Sequence, residues 1–184
     1  KVKVGNDANV AALGEMWKGG GRGNKILVMV TLGTGVGGGI ILNEKILTGT
    51  NGAGGEIGHL TMEPTEVEKC GCGKTGCLEQ YASATGIARL ARRTLAKTDK
   101  ATVLNADTVT AKDVFDAVKA GDEVAIEVAT QFGKYLGYGL SSVAALVDPQ
   151  IFVIGGGVSK AGEILFDFIK EPYMEKVFFA NEEV

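Results

Sequence analysis

The chain has 184 residues, 45% of them apolar and 22% charged, which is enough for one well-packed globular domain. Its 19 basic and 22 acidic residues give a net charge of -3, so no basic excess is present to neutralise a nucleic-acid backbone. The longest apolar runs, residues 26–32 and 40–42, are far shorter than a membrane span. We therefore expect a soluble, cytoplasmic domain without nucleic-acid or membrane partners.

The first third of the chain predicts a mixed α/β class. An alanine-rich helix is expected from about Ala8 to Trp17, with Asp7 suited to cap its N-terminus. Apolar or β-branched runs predict strands at residues 2–4, 26–32, 38–42 and 45–47. A short turn at Asn43-Glu44 would join the last two. Because the chain lacks a starting methionine and opens on a strand-like run, we expect it to begin inside a larger protein.

The second half is predicted to be mainly helical. Four segments are expected to form helices: residues 78–95, 110–120, 122–146 and 159–168. The first of them is expected to break near Ala84-Thr85, and residues 97–108 form a polar connection. Asp148-Pro149 would end the third helix, before a short buried strand at residues 151–154.

The most specific motif combines the only histidine of the chain, His59, with Cys70, Cys72 and Cys77. Residues 48–76 contain few core-forming side chains, and a loop of that length usually needs a function or an internal staple. Three thiolates and one imidazole complete a tetrahedral zinc shell, and a shell without an open position is structural. The alternative is three reduced cysteines and an unrelated histidine. An odd number of cysteines within eight positions argues against a disulfide framework.

Two glycine turns are candidate phosphate sites. Gly33-Thr34-Gly35 follows a buried strand, and Gly155-Gly156-Gly157 lies between a strand and a helix. Amides exposed by glycine turns can hold phosphate oxygens, and a threonine hydroxyl adds a donor. Neither turn is a Walker loop or a convincing dinucleotide fingerprint. On local grounds, a simple hairpin and a tight βα turn explain them equally well.

Three carboxylates stand next to these motifs. Asp7 lies at a strand-to-helix turn, Glu56 precedes His59 by three residues, and Glu79 follows Cys77 by two. A metal in the loop would fix Glu56 and Glu79 relative to each other, which suits a site that hydrogen-bonds several hydroxyls. Taken singly, helix capping for Asp7 and solvated surface for the glutamates explain them as well.

Together these residues resemble the ROK family of bacterial sugar kinases and sugar-responsive repressors, and most closely its glucokinases. The resemblance is carried by residues 33–43 and 52–59, by Cys70 to Glu79, and by Gly5-Asn6-Asp7-Ala8-Asn9. It covers nearly the whole chain. It implies an α/β fold, the larger lobe of an actin-like, ribonuclease-H-like ATPase, with residues 1–184 as the sugar-binding lobe and a zinc-stapled loop.

The resemblance also implies a role for each motif. Asp7 would be the general base that takes the proton of the sugar 6-hydroxyl as this oxygen attacks the γ-phosphate of ATP. Mg²⁺ would accompany ATP. His59 would use one ring nitrogen for zinc and the other for sugar. The implied sugar ligands are Asn6, Glu56, His59 and Glu79; those of ATP are Gly33, Thr34, Gly35, Gly155, Gly156 and Gly157.

Two elements of the ROK kinases have no counterpart here: an N-terminal lobe with an Asp-x-Gly-Gly-Thr phosphate loop, and a final strand and helix. We therefore expect the isolated chain to have little kinase activity. The segment Glu56-Ile-Gly-His59-Leu-Thr resembles the glucokinase version of the motif and indicates glucose as the preferred substrate. N-acetylmannosamine, fructose and allose kinases share much of this segment. The alternatives are the effector-binding part of a ROK repressor and a zinc-stabilised interaction module. The resemblance suggests a homodimer or tetramer.

Overall fold

A computed structural model of the protein describes residues 5–184, so the strand expected at residues 2–4 lies outside the described part. Within residues 5–184 the elements are α1 (Asp7–Lys18), β1 (Ile26–Leu32), β2 (Val36–Leu42), β3 (Lys45–Ile46), α2 (Glu79–Ala82), α3 (Ala84–Leu95), α4 (Ala111–Lys119), α5 (Glu123–Val147), β4 (Ile151–Gly155) and α6 (Ile164–Lys176). Short 3-10 turns cover Ile57–His59, Val158–Ala161 and Phe179–Asn181. None of these helices is long and apolar enough to cross a membrane.

The four strands form one mixed sheet in the order β3-β2-β1-β4. β1 pairs antiparallel with β2 and parallel with β4. The turn between β2 and β3 has positive φ at both Asn43 (51°) and Glu44 (64°), the backbone of a two-residue hairpin turn, as the sequence predicts. β4 lies at the edge of the sheet, and every one of its residues is partly exposed.

The sheet separates two apolar layers because side chains alternate along a strand. Val28, Val30 and Leu32 of β1 belong to the main core, which also takes in buried side chains of α3, α4 and α5. Leu27 and Met29 point to the opposite face, where α1 packs. The long helix α5 lies against α6 and completes the main core.

Most helix boundaries agree with the sequence, but the cap of α1 does not. Asn6, not Asp7, is the N-cap, and its side chain accepts from the Asn9 amide at 3.2 Å. Asp7 is already the first helical residue and accepts from the Ala8 amide at 2.8 Å. The cap of α4 is as expected: the Thr110 side chain accepts from the Asp113 amide in a capping box.

The helix expected at residues 159–168 is wrong in both bounds. Val158–Ala161 is only a 3-10 turn, because Gly162 follows it with φ of 89°, a conformation that interrupts a helix. Helix α6 begins at Ile164 and continues through Pro172 to Lys176. The break expected near Ala84 occurs one residue earlier, at Ser83, which is the N-cap of α3.

Gly39 of β2 allows α1 to lie directly on the sheet. A Cβ at this position would lie 2.6 Å from the Ala8 carbonyl oxygen and 2.7 Å from the Ala12 Cβ. Since these neighbours belong to a packed helix, Gly39→Ala is expected to lower the free energy of unfolding by about 1–3 kcal/mol in urea denaturation. In Gly14→Ala, the matched control in α1, the new methyl meets nothing within 4 Å and should stabilise by up to about 1 kcal/mol. Equal stability of the two variants would contradict the packing argument.

Candidate active site

The four predicted metal ligands meet at one point. The Nδ1 or Nε2 atom of His59 and the Sγ atoms of Cys70, Cys72 and Cys77 all lie within 4.8 Å of one another. We call residues 59–77, which bring them together, the metal loop. Isolated β-bridges pair Thr61 with Cys77 and Lys69 with Thr75, so the loop folds back on itself and closes the cluster.

The chemistry of the donor set fits a zinc ion. Burial raises the pKa of the Cys70 thiol, and burial together with the neighbouring sulfurs raises the pKa of Cys77 to about 12. The thiols of Cys70 and Cys77 are therefore costly to ionise on their own, whereas the Lys74 amide lowers the pKa of Cys72. A divalent cation removes the cost at Cys70 and Cys77. Three sulfurs and one imidazole could hold Zn²⁺ in a closed tetrahedral shell.

His59 connects the metal cluster to Glu56. Its Nδ1 lies 3.9 Å from Cys70 Sγ, and its Nε2 lies 3.9 Å from a carboxylate oxygen of Glu56. The side chains of His59 and Glu56 are 38% and 50% exposed. The ring therefore presents one nitrogen to the sulfurs and the other to an accessible carboxylate.

Glu79 connects the same cluster to the first glycine turn. One carboxylate oxygen accepts from the Val36 amide at 3.0 Å, and the other lies 3.5 Å from Cys70 Sγ, which donates to it. A Cβ at Gly35 would lie 2.1 Å from Glu79 Oε2, so the turn needs glycine to admit this side chain. Glu79 is thus held between the metal loop and the Gly33-Thr34-Gly35 turn.

Asp7 and Asn6 are exposed at the start of α1, on the other face of β2. Ala8, which follows Asp7, packs over Gly37 and Gly39, whereas Gly38 faces the carbonyl of Gly55 on the side of Glu56. In residues 5–184, no hydrogen bond or ion pair joins Asp7 to Glu56, His59 or Glu79. These residues therefore flank β2 without a polar contact.

The two glycine turns lie at the same end of the sheet, where the parallel strands β1 and β4 finish. Gly33 follows β1 and Gly155 ends β4; since these strands are parallel, with Thr31 opposite Gly155, their turns adjoin. Gly156, with φ of 90°, packs so closely that a Cβ there would lie 2.6 Å from the Leu32 carbonyl oxygen. Thr34, Gly156 and Gly157 are exposed.

A cavity of about 350 Å³ opens beside these turns. Its walls are the start of α3 at Ala84, one face of α4, and the 3-10 turn after Gly157. Ala84 also donates its amide to the Gly33 carbonyl at 2.8 Å, which ties the cavity to the first glycine turn. Sequence reasoning missed the α4 residues of the cavity, Thr110, Ala111, Lys112, Phe115, Asp116 and Lys119. No local motif marks them, because only the packing of α4 against the turn brings them to a site.

Comparison with known proteins identifies the family. The model of the ROK family matches residues 1–183. The chain belongs to the ROK family. It has the mixed α/β, actin-like and ribonuclease-H-like fold of ROK sugar kinases, as the sequence predicts: the crystal structure of a ROK family glucokinase from Streptomyces griseus in complex with glucose and AMPPNP superimposes with a TM-score of 0.87 and 37% identity, over 95% of this chain and 58% of that one.

The curated relatives include both sugar kinases and repressors. The glucokinase of Halalkalibacterium halodurans is 51% identical over 176 residues, 94% of this chain and 53% of that protein. A putative xylose repressor of a Caldicellulosiruptor species is 31% identical over 183 residues, 98% of this chain and 46% of that protein. The chain therefore spans about half the length of the curated relatives it matches.

Proposed function

We propose that the chain is the sugar-binding larger lobe of an ATP-dependent glucokinase, which transfers the γ-phosphoryl group of ATP to the 6-hydroxyl of glucose. The observation that carries this proposal is the position of the Gly33-Thr34-Gly35 turn. On one side it touches Glu79, which in turn contacts Cys70 of the metal loop, and on the other side it is tied through Ala84 to the cavity. A turn in that position can hold the phosphates between a hexose and a nucleoside.

The hexose subsite would consist of polar groups around the metal loop. Glu56 and His59 are accessible and adjacent, and Glu79 is fixed by the Val36 amide. With Asn6 at the start of α1, they offer carboxylates, an imidazole and an amide, which suit the hydroxyls of a sugar. Zn²⁺ in the four-ligand cluster would hold the metal loop closed.

Asp7 would act as the general base. It is exposed at the first position of α1, and within residues 5–184 the oxygen that does not accept from the Ala8 amide accepts no other hydrogen bond. As the sugar oxygen attacks the γ-phosphate, the carboxylate would accept the proton of the sugar hydroxyl, because the attacking alcohol must lose this proton as the phosphoryl group is transferred. A sugar sensor has no need of such a base, so Asp7 favours a kinase over a repressor.

ATP would lie across the end of the sheet at which the two turns adjoin. The Gly33 amide already donates to the Gly35 carbonyl at 3.0 Å, so Thr34 and Gly35 would face the phosphates. Gly155-Gly156-Gly157 would lie beside the adenosine, whose base would enter the cavity at α4. The cavity volume is in the range that small-molecule sites use. Mg²⁺ would arrive with ATP. Assembly as a dimer or tetramer stays a prediction.

The test is phosphorylation of glucose, N-acetylmannosamine and fructose by the full-length protein that contains this chain. We expect the highest kcat/KM for glucose, and we expect the isolated 184-residue chain to turn over none of the three. Hexose binding without turnover in the full-length protein would favour the repressor. Full activity of the isolated chain would contradict the proposal that it is one lobe of the enzyme.

A further inference from the structure

One buried carboxylate in the metal loop is not part of the metal cluster or the hexose subsite. The Glu66 side chain is only 4% exposed, yet it is charged. Tyr81 and the two terminal guanidinium nitrogens of Arg93, Nη1 and Nη2, donate to it at 2.8–3.0 Å, and Arg89 also donates to it. The amides of residues 67 and 68 donate to it at 3.0 Å. These donors hold the pKa of Glu66 far below its usual range, with Arg93 as the largest cause.

Glu66 and its donors also hold helix α2, which begins at Glu79. Tyr81 is fully buried in α2, and its hydroxyl is the donor to Glu66 at 2.8 Å. Arg89 also donates a hydrogen bond, at 2.9 Å, to the carbonyl of Gln80. Gln80 in turn donates to the carbonyl of Glu68 at 2.9 Å. The loop and the helix are therefore joined through groups that are not metal ligands.

This arrangement fixes geometry more than it adds stability. A buried ion pair gains little over apolar side chains of the same size, because both charges lose their hydration. The Glu66 cluster, which consists of Glu66, Tyr81, Arg89 and Arg93, instead holds the metal loop in a single position against α2 and α3. Glu79, two residues from Tyr81, then reaches both the Val36 amide and Cys70.

We propose that Glu66 is a positioning residue for the hexose subsite. It acts through Tyr81 of α2 and Arg89 of α3, which together hold helix α2 in place and with it Glu79. The inference rests on the proposed function, because it assigns Glu79 to the hexose. It gives the subsite a second support, separate from the metal. Loss of this support should weaken hexose binding more than it slows phosphoryl transfer. Asp7 lies on α1, and the first glycine turn, although it contacts Glu79, is also held by the hydrogen bonds from the Gly33 amide to the Gly35 carbonyl and from the Ala84 amide to the Gly33 carbonyl.

The test is Glu66→Gln in the full-length, zinc-loaded protein. Glutamine keeps the size of the side chain but removes the charge and turns an acceptor into a donor facing the arginines. We expect the hexose KM to rise about tenfold, with kcat within about threefold and the KM for ATP within about twofold of wild type. Glu68→Gln is the matched control: Glu68 pairs with the same two arginines but is 55% exposed, so the hexose KM should change by less than about twofold.

Tyr81→Phe gives a second measurement if Glu66→Gln does not fold. It removes one donor to Glu66 and keeps the stacked ring, so the hexose KM should rise about threefold. An unchanged hexose KM in the folded variants, or equal rises in KM for hexose and ATP, would overturn the positioning role. Calorimetric hexose affinity separates the two proposals: a wild-type protein that binds hexose without turnover refutes the kinase, while its variants still test Glu66. A wild-type protein that binds no hexose refutes both.

Discussion

Asp7→Asn in the full-length protein is expected to lower kcat for glucose phosphorylation by about 10²–10⁴-fold, the usual contribution of a general base. Asparagine keeps the oxygen that accepts from the Ala8 amide at 2.8 Å, so helix α1 should remain intact. It cannot take a proton from the sugar hydroxyl. Glucose affinity should therefore stay within about threefold of wild type, and steady-state kinetics with calorimetry would measure both quantities.

Asp167→Asn is the matched control for this experiment. Asp167 is likewise an exposed aspartate in the first turn of a helix, α6, but it lies outside both glycine turns and the metal loop. Its substitution should leave kcat unchanged. If Asp7→Asn kept kcat within about tenfold of wild type, the chemistry would not need Asp7 as its base, and the repressor hypothesis would gain.

Removal of the metal should have the second large effect. Cys72→Ser, or chelation of the wild-type protein, is expected to reduce hexose affinity at least about 100-fold and to lower Tm, because metal binding and folding of such a loop are coupled. His59 lies beside both the cluster and Glu56, and Cys70 lies 3.5 Å from Glu79, so a loosened loop would disturb three implied sugar ligands together. Zinc content, thermal unfolding and hexose calorimetry on the same sample would measure the effect.

Lys74→Gln serves as the control in the metal loop. Lys74 is exposed between Cys72 and Cys77, and its side chain makes no hydrogen bond or ion pair within residues 5–184. Zinc content and hexose affinity should both match the wild-type protein. Metal-free protein that binds hexose with unchanged affinity would show that the loop does not need the ion to hold the subsite.

The sequence predicts those features that depend on neighbours along the chain. The buried strand Ile26–Leu32 shows a continuous apolar run, and the cap of α4 shows its Thr110-x-x-Asp113 spacing. The cluster of His59, Cys70, Cys72 and Cys77 could also be predicted, because three thiols and an imidazole concentrated in a loop without a core are typical of a metal site. Each of these features is specified by residues within about 20 positions of one another.

Some features depend on contacts between residues far apart in the sequence, or on a choice between two equally suitable local conformations, and these could not be predicted. Asn6 and Asp7 are both good N-caps, and only the backbone at the start of α1 selects Asn6. The interruption at Gly162 depends on a positive φ that glycine permits but does not require. The Glu66 cluster joins residues up to 27 positions apart, and the cavity needs α4 against the turn after β4. Such contacts follow from packing, which local patterns do not encode.

The position of β4 has a practical consequence. Ile-Phe-Val-Ile-Gly is a wholly apolar strand without lysine or proline, and within residues 5–184 its outer edge has no partner strand. Such an edge offers unpaired amides and carbonyls to any other extended chain and favours intermolecular sheet formation. A preparation in which this edge stays uncovered should tend to self-associate through the strand.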